Sequence, residues 1–454
     1  MTNDLLALIE PLYEPLMQSD HFKAEHLTEL FVSKIARSQA TGKDGVRVGR
    51  FQDILSSEVK LIEQKVISGN YNFTTFKERL IFRGATRLPR QISIPTVRDR
   101  LTLRAVCQAL HSHKKATIGS APHSLVKSIA RAIRNGEDQS SRSFIRIDVK
   151  DFFPSISHAI LRKELKYFGF QGIIENLCMA AVSTPTGQSD TIINRGVPQG
   201  LSVSGALAAL YMLRFDQLRK TGVSHYFRYV DDILMICETR IADDILKMVA
   251  RALSSRGLTA HKKGSNGKTE ILPVSEGMDY LGYHISIEKI SIRESSYKRM
   301  FRNIQKVVTD YRYRGKIEKL IFRINLKITG CIVDNRRRGW MMFFSYTENM
   351  QQLAHLDSFV KRQLVKAGFP EAEQPKIKKF IRSYHEIRNR LDTTSYIPNF
   401  DNYDHNERAS VVAALSDKMI AEVLAMDVEF IDTQFSRMIS REVHDLEQDI
   451  GNLS

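Results

Sequence analysis

Cysteine is scarce. The four present, Cys107, Cys178, Cys237 and Cys331, stand far apart in 454 residues and form no paired spacing. That excludes an encoded zinc module and a disulfide framework, and it predicts reduced thiols in an apolar core. Long hydrophobic runs are absent too, none approaching the 18 or more residues of a membrane-spanning helix. The amino terminus lacks a basic segment followed by an apolar one, so a cytoplasmic protein without a membrane partner is expected. There are no internal repeats and no low-complexity linkers, and the length suits about three ordinary domains.

Acidic charge is in short supply. With 67 Lys and Arg against 51 Asp and Glu, the formal net charge is +16 and the sequence pI about 9.6. A basic excess points to a polyanionic partner, because phosphate neutralisation supplies most non-specific nucleic-acid affinity, although many proteins share such an excess with no specific partner. The charge is uneven. From Tyr396 to the end there are twelve acidic and four basic residues, a net of −8 that leaves +24 on the rest. The tail is therefore not expected to clamp nucleic acid. Its amphipathic stretch "ERASVVAALSDKMIAEVLAMDVEFIDTQFSRMISREVHDLEQDI" fits packing on the basic body or self-association into a homo-oligomer.

Periodicity gives the element order. Apolar residues at three-to-four spacing predict helices in "LLALIEPLYEPLM" and "FQDILSSEVKLIEQKVISG", the second closed by Gly69. Short strands follow around the turn "RGATR". Helical patterns return in "DRLTLRAVCQALHSH", in "HSLVKSIARAIRNG", stopped by Asn135 and Gly136, and in "HAILRKELKYFGF" and "ADDILKMVARALSSRG". Strands interleave with the later ones, so an α+β domain covered on one face is expected.

Two apolar strand patterns end in carboxylates. In "HYFRYVDDILMIC", Asp231 and Asp232 interrupt a run that reads as a β-hairpin. Neighbouring side chains on a strand point to opposite faces, so the pair straddles the bend. Upstream, "SFIRIDVKDFFPSIS" carries Asp148 at the end of an apolar strand, followed by Asp151, Phe152 and Phe153. Half-burying such charges costs several kcal/mol unless a cation compensates. Asp148, Asp231 and Asp232 are therefore candidate ligands of divalent metal, with the Val149 carbonyl beside them, a supporting electrostatic role being the alternative for Asp232. Two Mg2+ ions, or Mn2+ in their place, would catalyse phosphoryl transfer.

The Asp148 strand, "RGVPQGLSVSGALAALYM" and the "YVDD" box, in that order and spacing, resemble the catalytic motifs of reverse transcriptases. "ATGKDGVRVGRF" and "GNYNFTTFKERLIFRGATRLPRQISIPTVRDRLTLRAVCQAL" resemble the fingers of the bacterial group II intron and retron kinds. "GLTAHKKGSNGKTEIL" and "MDYLGYHIS" resemble the lysine-bearing segment and the primer-grip hairpin. The resemblance runs from about residue 35 to about residue 365. It implies a right-hand polymerase with fingers (71–140), a palm with an antiparallel sheet (141–290) and a helical thumb (291–365). A helical segment (1–70) would precede them and a mostly helical carboxy-terminal domain (366–454) would follow.

The same resemblance assigns roles. Arg83 and Arg90, with Arg87 as a rival, would grip the triphosphate, as guanidinium forks suit phosphate. Gln199 and Gly200 would contact the nucleotide. Phe153 would lie beneath its sugar and exclude a 2′-hydroxyl, the competing reading being plain core packing. Lys268 would protonate the departing pyrophosphate, with Lys262 and Lys263 as competitors. Tyr229, Tyr280, Leu281, Gly282, Arg299, Arg302 and Lys306 would hold primer and template, the last three on a basic helical face carrying aromatic residues between its cations. Trp340 and the Phe and Met residues after it read as core. Tyr396 and Tyr403 are expected to be exposed, and a tyrosine hydroxyl is a conceivable primer.

No ribonuclease H, integrase or metal-finger endonuclease segment is recognisable, and "KITG" at 327–330 only faintly echoes a retron motif. The nearest resemblance is to defence-associated bacterial reverse transcriptases, including abortive-infection types. It implies copying of a non-coding RNA into DNA from dNTPs. The alternatives are template-independent, protein-primed synthesis and an inactive polymerase scaffold that binds nucleic acid.

Overall fold

The computed structural model describes residues 18–36, 38, 40–82, 88–112, 122–135, 141–188, 193–218, 221–264, 268–416 and 418–450. The expected helix "LLALIEPLYEPLM" and the turn "RGATR" lie outside them. The chain divides into two compact units, one drawn from Met1–Ser120 and Ile145–Ile271, the other from Ala121–Phe144 and Leu272–Ser454.

The first unit is built on amphipathic helices. Ala24–Lys34 buries Leu27, Leu30 and Phe31, and Leu55–Ile67 buries Val59, Ile62 and Val66, both at helical spacing. The expected single helix from Phe51 is broken at Ile54, so that Val48–Asp53 stands apart from Leu55–Ile67. Helix Val97–Ser112 starts over a buried carboxylate. Asp99 accepts from the Tyr71 hydroxyl at 2.8 Å, the Thr96 hydroxyl at 2.8 Å and the Thr74 N–H at 3.1 Å. These bonds fasten the preceding loop to the helix, and they offset the desolvation that raises the Asp99 pKa.

Strands β1 (Lys77–Ile81) and β2 (Arg90–Ile94) form an antiparallel pair. A five-stranded sheet contains β3 (Arg142–Lys150), β4 (Val223–Tyr229), β5 (Asp232–Glu238), β6 (Thr259–Ala260) and β7 (Thr269–Pro273). Its order is β4-β5-β3-β6, and β7 also pairs with β3. Alternation decides the faces: Ile145, Ile147 and Val149 of β3 and Ile233, Met235 and Cys237 of β5 enter one apolar core. Arg146, Asp148 and Asp232 occupy the alternate positions, and all three are buried. Helices His158–Tyr167, Ile173–Ser183, Ser204–Gln217 and Ala242–Ser254 complete that core.

The second unit holds helix Pro122–Arg134 and an antiparallel sheet of β8 (Met278–Tyr280), β9 (Tyr283–Ile285) and β10 (Ile290–Ile292) in the order β10-β9-β8. Helices Glu294–Arg314 and Ile317–Thr329 lead to a hairpin of β11 (Cys331–Val333) and β12 (Arg336–Arg338). Its turn residues Asp334 and Asn335 both have positive φ, the mirror-image turn that suits strand twist. Trp340 is fully buried against Phe344 and Phe380, with ring centroids 4.8 and 5.8 Å apart.

Residues after 366 share this unit. Helix Val428–Ile450 turns Ile431, Phe435, Ile439, Val443 and Leu446 into a core with Leu326, Cys331, Phe400 and Val412. Glu442 accepts from Arg323 at 2.7 Å. Tyr396 and Tyr403 differ from the expected exposure, for both are half-buried. The Tyr396 ring lies under Arg382 and its hydroxyl accepts from the Lys379 N–H at 2.6 Å, while Tyr403 packs against Phe400 and Phe435. Polar neighbours in sequence do not reveal cations stacked from a separate helix. Among the described residues no helix is long and apolar enough to cross a membrane.

Candidate active site

Strand β3 delivers Asp148 and the β4–β5 hairpin delivers Asp231. The hairpin closes in two residues, since Tyr229 pairs with Asp232, leaving Val230 and Asp231 as the turn. Val230 has φ 56°, a left-handed conformation that a β-branched residue seldom adopts. Such strain costs about 1–3 kcal/mol and persists only where the surroundings over-determine it. Here Arg228 supplies the restraint: it donates to the Val230 carbonyl at 2.9 Å and forms an ion pair of 2.5 Å with Asp216. The Tyr226 hydroxyl joins Asp216 at 2.6 Å. The Val149 N–H donates to the Asp231 carbonyl at 3.2 Å and so ties the turn to β3.

The two adjacent aspartates then diverge. Asp231 is half-buried beside Asp148. Burial raises its pKa and Asp148 adds to the rise, while its own backbone N–H, Arg90 and Lys268 act against them. Asp232 is instead held by Arg146, whose Nε and Nη2 donate to the two carboxylate oxygens at 3.0 and 2.7 Å. Burial pushes the Asp232 carboxyl up to about 6 even though Arg146 pulls it down.

Around Asp148 stand two further groups. Lys268 Nζ lies 3.4 Å and His261 Nε2 3.3 Å from the same carboxylate oxygen, and the two nitrogens are 3.0 Å apart. The His261 backbone N–H donates to the Asp148 carbonyl at 3.0 Å. Lys263 is drawn away into a 2.6 Å ion pair with Asp243, and Lys262 is exposed. His261, Arg146, Arg228 and Asp216 were not singled out by the sequence. Their closest ion pairs span 113, 86 and 12 positions, and only the motif "HKKGSNGK" hinted at His261.

The nucleotide-side residues meet through the turn after Val197. Arg90 Nε donates to Gln199 Oε1, and the Ser93 N–H donates to the Gln199 carbonyl at 2.7 Å. Gly200 makes this approach possible: at φ 109° a Cβ there would lie 2.7 Å from both Ile92 Cγ2 and the Ser93 carbonyl oxygen. The carbonyl of Phe153 accepts from the Val197 N–H at 2.9 Å, and its ring is half-buried edge-on to Phe152. Tyr229 is half-buried at the end of β4, its hydroxyl pKa raised by burial and by Asp231. Asp148, Asp231, Arg90, Gln199, Phe153 and Lys268 are thus all in one unit. Arg83 and Arg87 lie outside the described residues.

Apart from Tyr229, the expected primer and template residues belong to the second unit. Tyr280 and Leu281 are buried there, and Leu281 and Gly282 make the two-residue β8–β9 turn. Arg299, Arg302 and Lys306 share a face of helix Glu294–Arg314. They line a groove of about 580 Å³ with Arg323 and Lys327, opposite Glu442 and Asp445.

Among the described residues no three His, Cys, Asp or Glu side chains are grouped to hold a metal ion. Asp148 and Asp231 still suit Mg2+, which keeps several waters and takes one or two carboxylates plus substrate phosphates.

Residues 83–285 match the family described as reverse transcriptase (RNA-dependent DNA polymerase). No curated protein matches the chain. Among solved structures, an apo telomerase from Candida tropicalis truncated from its C-terminal domain is 15% identical with a TM-score of 0.35, over 49% of this chain and 55% of that one. A telomerase from Candida albicans, in complex with the TWJ fragment of telomeric RNA, is 13% identical with a TM-score of 0.41, over 85% of this chain and 68% of that one. Residues 83–285, just under half of the chain, are therefore similar to a reverse transcriptase domain.

Proposed function

We propose that this protein copies a dedicated non-coding RNA into DNA in bacterial antiphage defence, adding dNTPs by two-metal phosphoryl transfer. The observation that carries the polymerase reading is the convergence of Asp148, Asp231, Arg90 and Lys268, within residues that match the reverse transcriptase family. Magnesium ions held by Asp148, Asp231 and the Val149 carbonyl would neutralise charge on the attacking and leaving oxygens.

The chain's own groups do the rest. Arg90 meets the triphosphate while Gln199 steadies its guanidinium. Lys268 gives a proton to the leaving pyrophosphate from beside Asp148. Phe153 fills the space a 2′-hydroxyl would take, which selects dNTPs over NTPs. Asp232 acts through Arg146 as a positioning residue, keeping the Asp231 turn fixed against β3.

Support for the defence role is the resemblance of the motifs to defence-associated bacterial enzymes. RNA template and DNA product would lie along Tyr229 and along the Arg299, Arg302 and Lys306 face. Self-association would use the exposed apolar residues Met419, Ile420, Leu424, Val428 and Phe430. Protein-primed, untemplated synthesis is the second reading. Burial of the Tyr396 and Tyr403 rings tells against those two hydroxyls as primers.

Labelled-dNTP incorporation on a primed RNA, with Mg2+, tests the reading. Product that requires the RNA and disappears in Asp231→Asn is expected, and Phe153→Ala is expected to admit NTPs. Product that forms without any RNA would favour the untemplated reading. Incorporation unaffected by Asp231→Asn would overturn both.

A further inference from the structure

The second unit contains a pocket of about 370 Å³, within the size range of small-ligand sites, lined by Lys127, Arg337, Arg338 and Arg388, with Tyr346 and a single carboxylate, Glu447. Three separate elements bring the cations together: helix Pro122–Arg134, strand β12 and helix Phe380–Asn389. None of these residues belongs to the carboxylate site.

Three other arginines of this unit are neutralised. Arg134 pairs with Glu348 at 2.6 Å, Arg323 with Glu442 at 2.7 Å and Arg408 with Asp432 at 2.9 Å. In the pocket the pattern changes. Glu447 is committed to Arg338, whose Nε is nevertheless buried without an acceptor. Lys127 rests on the Tyr346 ring, 4.5 Å from its centroid. Arg388 lies 5.3 Å from the Tyr384 centroid and donates to that hydroxyl at 2.8 Å. A ring face or hydroxyl positions a cation without cancelling its charge. Four cations facing one carboxylate repel one another and are stabilised by a multiply charged anion, for which guanidinium forks give paired hydrogen bonds to phosphate oxygens.

We propose that this pocket binds a polyphosphate group, that of a nucleoside triphosphate either free or at the 5′ end of an RNA. Arg337 and Arg388 grip the phosphate oxygens, Lys127 adds charge and Arg338 closes the inner wall. The proposal does not rest on the polymerase reading, and its test separates the two by leaving out the divalent ions that polymerisation requires.

Full-length protein in EDTA is titrated into a fluorescein-labelled RNA decamer bearing either a 5′-triphosphate or a 5′-hydroxyl, and anisotropy is read. The 5′-triphosphate RNA is expected to bind about tenfold more tightly, and Arg337→Gln with Arg388→Gln is expected to remove that preference. Both residues are exposed, so the fold is not at stake, and Lys127→Gln on a different helix provides a second variant that should weaken the preference. ATP as competitor then distinguishes the sources. Displacement by ATP at its own comparable affinity identifies a free nucleotide, whereas displacement only by triphosphate-ended RNA identifies the RNA terminus. Equal binding of the two RNAs by the wild-type protein, or a preference that survives all three substitutions, would overturn the proposal.

Discussion

Asp231 and Asp232 are neighbours in sequence and opposites in environment. Asp231→Asn removes a charge that the proposed metal ions would require while relieving repulsion from Asp148. It should lower dNTP incorporation by about 10²–10³-fold or more with no loss of thermal stability, as primer extension and calorimetry would show. Asp232 answers to stability instead. Its folded pKa of about 6 lies above the ordinary 3.8, so the folded state holds the proton more tightly than the unfolded chain. Its contribution to stability is therefore present at low pH and lost as pH rises from about 4 through 6. Arg146 limits that loss, and with side-chain exposures of 8% and 1% the pair gets little help from solvent. Arg146→Ala should cost about 3–5 kcal/mol at pH 8 and clearly less at pH 5, where Asp232 can take up a proton. Urea midpoints at the two pH values measure this, and equal losses would mean that Asp232 stays charged. Asp148 and Asp231 were legible because carboxylates ending apolar strands are conspicuous in a one-dimensional pattern. Arg146 reads as an ordinary strand residue, and its partner stands 86 positions away.

Among the elements, the turn holding Gln199 and Gly200 and the strand β2 beneath it approach too closely for any side chain at position 200. Gly200→Ala should push β2 outward and break the Arg90–Gln199 bond. An increase of about tenfold in KM for dNTP, larger than the fall in kcat, is the expected signature in steady-state kinetics. A second element carries a titrating group: His284 on β9 bonds Asp279 on β8 at 2.8 Å, and that bond raises the histidine pKa above 6.5. The stabilisation is complete below about pH 6.5 and is lost as pH rises through the folded value. In NMR titration Asp279→Asn should bring the His284 midpoint down, and an unchanged midpoint would refute the coupling. The helices from Val97 and Ala242 were readable from apolar periodicity. The break at Ile54 was not, because Ile54 and Leu55 continue the helical pattern on either side of it.

For the whole molecule, the consequential feature is the carboxy-terminal helix. Packing on the body was one of the two expectations for this acidic amphipathic stretch, and Ile431, Phe435, Ile439, Val443 and Leu446 do lie in the same core as Leu326 and Cys331. Ending the chain at Asp427 should therefore destabilise the second unit as a body, seen as a lower melting temperature and wide loss of amide protection. A truncated protein with an unchanged transition would show the tail to be an appendage. The amphipathic pattern after Tyr396 marked a helix with one apolar face, while the partners of that face were not encoded locally. The central claim, RNA-templated DNA synthesis at Asp148 and Asp231, is tested most directly by sequencing the RNA and DNA that co-purify with wild-type protein and with Asp231→Asn. DNA complementary to a bound RNA, absent from the variant, is predicted. DNA with no matching RNA, or identical DNA from both proteins, would contradict the claim.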